Sequence, residues 1–532
     1  MEPLFEIEVA RAAKGSRMSA RNLYRQLQAA ILDGRLRAGT RLPATRRSAA
    51  YFGVSRNTAA DVYEQLLNDG YVVTRTGSGT YVADSVKARP TRAKDGKTRT
   101  ADHRTADHRT ADGRTPELRA ADRAPNHRGP DRRLSDSRLN AFWLRSDVTA
   151  AMNFWRDDTE HTSPLTPAPP SIDFRPALVD SRLFPFDVFR RVSARQLRGL
   201  QRKPASYKSP QGNQGNYTLR HAITRHIALT RAVVCEPSDV LVTSGAQQAF
   251  DLLARALVKP NETVVALEDP GYPPMRVAFA AAGAKLVPVG VDDEGLIVEH
   301  LPRDVGVICV CPSHQFPLGV TMSQRRRQAL VEFARATGAV IVEDDYDGEF
   351  RYDGSPLAAL RTAAAADVVF YVGTFSKCML SSLRLGFLVA PEWAMQTLIA
   401  AKNCMDWHCA TPLQLGVAAF IAEGHLARHV RKMRETYKKR RRLLLTSIEE
   451  RLGEWLVPIP SLYGMHVAAT ARAARDLDAV SDALAKHNVK IHSLSRYYLG
   501  PQTRKGLVFG YGAVGLADIT RGMALLRKAL ER

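Results

Sequence analysis

A lysine at position 377 stands in a short polar turn, Gly373-Thr374-Phe375-Ser376-Lys377, between two apolar runs. The first run, Val368 to Val372, is β-branched and aromatic and reads as a buried strand, and the second extends from Leu385 to Ala390 behind Arg384. A lone ammonium between buried segments is costly unless it is bonded or lines a cavity. Thr374 and Ser376 flank the lysine with hydroxyls, and Arg384 follows in the same stretch. Together they can hold a phosphate beside an amine that forms an imine, which is the chemistry pyridoxal phosphate requires. A solvated lysine on a surface turn is the plain alternative.

A second set lies upstream. Val340 to Glu343 is another buried-strand run, ending in Glu343-Asp344-Asp345-Tyr346-Asp347. A pyridine ring that withdraws electrons needs a carboxylate at its nitrogen, and a phenol suits its ring hydroxyl. Strand side chains alternate, so Asp344 and Tyr346 can face one cavity while Asp345 and Asp347 point elsewhere. Four acids in a row also suit a divalent cation. With no second acidic cluster or histidine pair evident, no metal is expected.

The elements that must position these groups are strands alternating with helices. Runs at Val264, Val305, Val340, Val368 and Leu385 predict a mostly parallel sheet covered on both faces, with its strand ends gathered at one cleft. A further buried strand, Asp239 to Thr243, enters Ser244-Gly245-Ala246-Gln247-Gln248, and a helix continues from Ala249. Strand, small-residue turn and helix N-terminus form a natural phosphate cradle, although a tight turn alone would explain the glycine.

The stretches S-G-A-Q-Q-A at 244–249, E-D-P-G-Y at 268–272, P-S-H-Q-F-P-L-G at 312–319, E-D-D-Y-D-G-E-F at 343–350, G-T-F-S-K at 373–377 and S-L-R-L-G at 382–386 resemble one family. It is the aminotransferase-like half of the MocR/GabR/PdxR transcriptional regulators, and the resemblance spans roughly residues 170 to 530. It implies a fold-type I domain with Lys377 as the Schiff-base lysine of pyridoxal 5′-phosphate. It further implies that Tyr272 stacks on the ring and that Tyr207 reaches the cofactor phosphate of the other subunit of a dimer. Where ordinary aminotransferases place an asparagine on the ring hydroxyl, this chain offers His314 or Gln315, and His314 also reads as a structural histidine. The remaining expected cofactor contacts are Gly245, Ala246, Gln247, Asp344, Tyr346, Thr374, Ser376 and Arg384. Two departures stand out. Leu507 to Gly512 carries no arginine to clasp a substrate carboxylate, with Arg504 nearby but out of register, and Ser381-Ser382 stand where the family commonly has Pro-Gly.

At 532 residues the chain should hold two or more domains, and its formal charge of +22 favours an anionic partner such as nucleic acid. Six cysteines without a C-x-x-C pair read as reduced thiols. No basic leader or membrane-length apolar run is evident, so a soluble cytoplasmic protein is expected.

Residues 18 to 83 carry the pattern of a DNA reader. Leu23, Leu27 and Ile31 repeat at helical spacing, and a short helix from about Ala44 to Phe52 follows Pro43. Gly53-Val54-Ser55 then leads into a longer helix to Asn68, with Ser55 as its N-cap. Tyr71 to Thr74 and Thr80 to Val82 read as a hairpin wing. L-P-A-T-R-R at 42–47, G-V-S-R-N-T at 53–58 and G-S-G-T-Y-V at 77–82 resemble the GntR-type winged helix. The expected contacts are Ser55, Arg56, Asn57 and Thr58 at base edges, with Arg46, Arg47, Arg75 and Ser78 at phosphates or the wing.

Between the two, apolar content collapses and Arg99-Thr100-Ala101-Asp102-His103 recurs unchanged as Arg104 to His108 and again, with Gly113 in place of His, as Arg109 to Gly113. This stretch is expected to be a disordered tether, or an arginine arm touching phosphates, with Phe142, Trp143, Phe154 or Trp155 docking late in it. The expected architecture is therefore multidomain α+β and α/β: a winged helix-turn-helix over 1–83, a linker over 84–165 and an aminotransferase-like domain over 166–532. Two readings follow. One is a regulator in which a small amine, an amino acid or pyridoxal phosphate itself controls operator binding by a homodimer whose domains are exchanged head to tail. The other is a working aminotransferase carrying a DNA-binding appendage. On the first, transamination is weak at most.

Overall fold

The computed structural model describes residues 20–32, 35–68, 71–75, 79–83, 140–154, 172–202, 212–352 and 357–531. They fall into two units, one within Met1–Pro125 and the other within Asn126–Arg532.

In the first unit the helices Ala20–Leu32, Thr45–Phe52 and Arg56–Asn68 precede an antiparallel hairpin, Val72–Arg75 with Gly79–Val82. The helical repeat Leu23, Leu27 and Ile31 closes a core with Phe52, Val62, Leu66 and Val72. Between the second and third helices Gly53 adopts φ 66°, and its N–H bonds the Ala49 carbonyl, so the chain reverses where a side chain would be strained. Ser55 caps the third helix as expected, its Oγ accepting the Thr58 N–H at 3.0 Å. A buried hydroxyl pair, Ser48 and Tyr63 at 2.7 Å, ties the second helix to the third. Burial pushes the Tyr63 phenol up to about 12. Asp33 and Gly34, and the wing tip with Ser78, lie outside the described residues.

The second unit is organised on an eight-stranded sheet. Its order is Val240–Thr243, Gly386–Val389, Val369–Thr374, Val340–Asp345, Val305–Val310, Val264–Asp269, Lys285–Asp292 and Gly295–Leu296. The run from Val369–Thr374 to Lys285–Asp292 is parallel throughout. Gly386–Val389 instead lies antiparallel to both neighbours. A parallel return needs a crossover of about a dozen residues or more, usually a helix. Phe375 to Leu385 supplies only the tight turn Ser381–Leu383, so the strand folds straight back.

Alternation along the strands sends Leu241, Val265, Val307, Val342, Phe370 and Leu388 to one face, against Phe250, Leu253 and Phe279. Ala266, Ile308, Ile341 and Val369 go to the other, against Leu330 and Ala334. A smaller antiparallel sheet joins Leu456–Pro458, His466–Ala471, Gly506–Gly510 and His492–Ser493. It packs with the long helix His425–Leu452 and with Leu516–Leu530. Along that long helix Arg431 and Lys432 are exposed, but Arg440 is not. Arg440 is buried on Asp180 at 2.6 Å and the Gly512 carbonyl at 2.5 Å.

Residues 140–154 lie within the stretch expected to be linker, yet they form a tight turn, Ala141–Leu144, and a helix, Ser146–Met152. Val148 and Ala151 pack on Val277, and Phe154 is 3% exposed. Val148, Ala151 and Phe154 recur at helical spacing, a stripe too short to stand out from the polar composition around it. Phe154 is the aromatic that docks deeply, while Trp143 remains 51% exposed; Trp155 lies outside the described residues. No helix among the described residues is long and apolar enough to cross a membrane.

Candidate functional site

Strand register decides the site. Thr374 pairs with Gly386, and Gly386 pairs with Thr243, so three chain segments leave the sheet side by side. The segments after Thr243 and Thr374, and the one leading into Gly386, therefore converge on one end of a cavity of about 560 Å³. Ala246, Gln247, Thr374, Ser376, Lys377 and Arg384 line that end.

The helix Ala246–Leu257 starts there with Gly245 as its N-cap, at φ 80° and with no side-chain cap on its first N–H groups. A Cβ on Gly245 would stand 2.8 Å from Arg384 Nη2, so only glycine lets the guanidinium lie against this turn. Arg384 itself sits in the left-handed region, φ 46°, and donates to the Ser244 carbonyl at 3.1 Å. Thr374 Oγ1 accepts the Ser376 N–H at 3.1 Å and donates to Ser376 Oγ at 3.0 Å. Free helix donors, two hydroxyls and a guanidinium make an anion cradle.

Lys377 reaches from this cradle toward the cavity centre, its Nζ donating to the Ala177 carbonyl at 2.8 Å. Burial pulls its basicity down to about 8, against the attraction of Asp347 and Asp344 and with the repulsion of Arg384. An amine whose basicity lies this close to cellular pH keeps an appreciable neutral fraction, and the neutral form is the nucleophile.

Asp344 and Tyr346 line the same cavity, as their spacing predicts. Asp344 is buried and its Oδ1 has no hydrogen-bond partner. Burial, and then the charge of Asp345, push its carboxyl up to about 8. The other acids are engaged elsewhere. Glu343 accepts the Leu360 and Arg361 N–H groups at 2.8 and 2.9 Å. Asp345 is forked by Arg231 at 2.5 and 3.0 Å, and Asp347 meets His314 Nδ1 at 3.1 Å. The cluster therefore does not converge as one cation site. Tyr272 lines the cavity as well, held edge-on by Phe316 with ring centres 5.6 Å apart.

His314 and Gln315 do not reach the cavity wall. The Gln315 amide is consumed by its own turn, donating to the Pro270 carbonyl at 2.8 Å and accepting the Leu318 N–H at 3.0 Å. His314 stands behind Tyr346, its Nδ1 2.8 Å from the phenol oxygen, so it orients that phenol instead of meeting a ligand. Phe316, the next residue, lines the cavity in their place. Its position immediately before Pro317 in the same motif was the available signal. Arg504 pairs with Asp293 at 3.3 Å and is not among the lining residues. Tyr207 lies outside the described residues. Also unforeseen are the lining residues Ala177 to Val179, Ser381 and Ser382, and Ala151 and Met152 from the expected linker.

These residues fit pyridoxal phosphate. The cradle would take a phosphate, Lys377 would take an aldehyde, and the orphaned buried Asp344 oxygen suits a cationic donor such as a protonated pyridine nitrogen. Tyr272 would supply a ring face.

In the first unit Arg46, Arg47, Ser55, Arg56 and Asn57 are exposed and Thr58 is half-buried. Ser55 Oγ and Thr58 Oγ1 bond each other at 2.8 Å, so both hydroxyls already serve the cap. Arg56 and Asn57 open the third helix with exposed side chains. The Arg75 backbone pairs with Gly79 in the wing, and Ser78 lies outside the described residues.

Residues 182–504 match the aminotransferase class I and II family, and residues 19–82 match the bacterial regulatory proteins of the gntR family. The chain is 31% identical over 514 residues to the probable rhizopine catabolism regulatory protein MocR of Rhizobium meliloti, covering 96% of this chain and 93% of that protein. It is 28% identical over 492 residues to the HTH-type pyridoxine biosynthesis transcriptional regulator PdxR of Corynebacterium glutamicum, covering 92% and 91%. Among solved structures, the α-aminoadipate aminotransferase LysN of Thermus thermophilus, complexed with N-(5′-phosphopyridoxyl)-L-leucine, superposes with a TM-score of 0.61 at 25% identity, covering 68% of this chain and 92% of that one. The fold is thus the fold-type I aminotransferase fold, and the cofactor of its cavity is pyridoxal 5′-phosphate. Nearly full-length likeness to MocR, with a gntR helix-turn-helix ahead of an aminotransferase domain, makes this chain a member of the MocR-type family of transcriptional regulators.

Proposed function

We propose that this regulator senses a small primary amine or amino acid, or pyridoxal phosphate itself, and that occupancy of the cavity sets its affinity for operator DNA. When bound, pyridoxal phosphate supplies an electrophilic aldehyde and an electron-withdrawing ring. The chain does the rest. Lys377 offers an amine of lowered basicity, Asp344 holds a proton at the ring nitrogen, and Tyr346 is oriented by His314. Tyr272 and Phe316 exclude water from the ring. The observation that carries the reading is this combination in one polypeptide: a reactive, half-buried Lys377 beside the unpartnered Asp344 oxygen, and a recognition helix that opens with exposed Arg56 and Asn57.

On this reading Arg56 and Asn57 read base edges, while Arg46, Arg47 and Arg75 hold phosphates. The regulator acts as a cytoplasmic homodimer on two half-sites, with domains exchanged head to tail and Tyr207 completing the partner's phosphate site. An effector acts by binding one state of the dimer better than the other. The test is an absorbance scan of the cofactor-loaded protein against candidate amines, run beside operator binding. An amine that changes both supports the reading; operator affinity indifferent to every amine and to pyridoxal phosphate sinks it.

The second reading, a working aminotransferase, is favoured by the completeness of the cofactor set. Steady turnover of an amino donor with a keto acid would select it, whereas a single stoichiometric change in absorbance selects the sensor.

A further inference from the structure

The helix Ser146–Met152 belongs by position to the chain that follows the DNA-binding domain, yet it forms part of the ligand cavity. Ala151 and Met152 line it, with Met152 54% exposed at its rim. Val148 and Ala151 pack on Val277 of the helix Pro273–Ala281, whose N-cap is Tyr272. One turn on, Phe154 is buried edge-on to three rings: Tyr272 at 6.3 Å, Tyr497 at 5.5 Å and His492 at 5.1 Å. Tyr272 lines the cavity, while His492 and Tyr497 belong to the smaller sheet region and are not among its lining residues. Phe154, just beyond the helix, therefore joins a cavity residue to the smaller sheet, and the helix itself adds Ala151 and Met152 to the lining.

Resting on the sensor reading above, we propose that Ser146–Met152 and Phe154 form the distal wall of the effector subsite and report its occupancy to the DNA-binding part of the chain. Met152 meets the tail of the bound amine and thereby sets specificity. Any movement of Tyr272 on binding is felt directly by Phe154, because close-packed rings shift together. A ligand that fits the docked wall favours the docked helix, and one that does not releases it.

The test uses the full-length, cofactor-loaded protein with propylamine and β-alanine, a pair of similar size with and without a carboxylate. Amide hydrogen exchange across 146–154 should change at least three-fold with whichever amine alters the cofactor absorbance. Altered absorbance with unaltered exchange overturns the wall. Met152→Arg should lower the half-saturating concentration of β-alanine relative to propylamine by five-fold or more, and an unchanged ratio also overturns it. Val148 does not itself line the cavity, and Val148→Asp undocks the helix and so removes Ala151 and Met152 from the wall. It should keep the cofactor absorbance of the amine-free parent while the response of operator affinity to saturating amine falls below two-fold, and a full response overturns the coupling. Were the first two results obtained while the parent's operator affinity ignored every amine, the sensor reading would fail and the wall would stand.

Discussion

Two helices of this chain begin in opposite ways, and each beginning suits what it faces. The recognition helix Arg56–Asn68 is capped by a side chain, Ser55 Oγ on the Thr58 N–H. The helix Ala246–Leu257 is capped by Gly245 and has no side chain on its first donors. A capped end has a donor paired and works through the side chains of its first turn. A bare end keeps its N–H groups and dipole for an anion. On the proposed function both starts meet phosphate-bearing ligands, and the bare one has more backbone donors to offer. Cap chemistry then distinguishes a helix proposed to read DNA from one proposed to cradle a cofactor.

The comparison can be broken from either side. The largest expected effect is at Lys377→Ala, which should abolish the covalently held cofactor, seen as lost visible absorbance and no borohydride-fixed label. A variant still coloured and still amine-responsive would dismantle the site assignment. Next is Arg56→Ala, expected to weaken specific operator binding by about 1–3 kcal/mol, roughly one to two powers of ten, by titration at fixed salt. Cofactor absorbance should not move; equal loss on specific and random DNA would make Arg56 a phosphate contact instead of a reader.

Gly245→Ala should cost cofactor affinity about 1–2 kcal/mol, because the left-handed φ and the nearby Arg384 both resist a Cβ. Unchanged affinity would mean that the bare helix end is not the cradle. A fourth test concerns pH. With the folded basicity of Lys377 lowered to about 8, its neutral fraction, and so the rate of pyridoxal phosphate capture by cofactor-free protein, should rise as pH passes about 8. Asp344→Asn removes a charge that favours the ammonium, so the midpoint should move lower; an upward shift contradicts the geometry. The smallest effect is at Ser55→Ala. Losing the cap should lower winged-helix stability by about 1 kcal/mol in thermal unfolding, while base preference stays as it was.

How much of this was legible varies by residue. Asp344 was readable because strand side chains alternate, and Tyr346, just past the end of the strand, lines the same cavity at the spacing of two. Lys377 was readable because an ammonium between two apolar runs needs a chemical reason. Ser55 and Gly53 were readable because caps and left-handed turns are local. His314 and Gln315 were misplaced by one or two positions, since only the packed turn reveals that the Gln315 amide closes the loop and leaves Phe316 to face the cavity. The burial of Arg440 was not legible, because its partner, Asp180, is remote in sequence.

By itself the sequence determined the kinds of elements, their order and the chemistry available at each strand end, all of which depend on near neighbours and on period. Tertiary structure alone decided which ends meet. Thr243, Gly386 and Thr374 lie far apart in the chain, and only their pairing brings phosphate cradle and lysine together. It also decided that the helix carrying Val148 and Ala151, in a stretch too polar to suggest a fold, docks so that Ala151 and Met152 line the cavity. A short apolar stripe gains its stability from the surface it meets, and that surface is not written beside it.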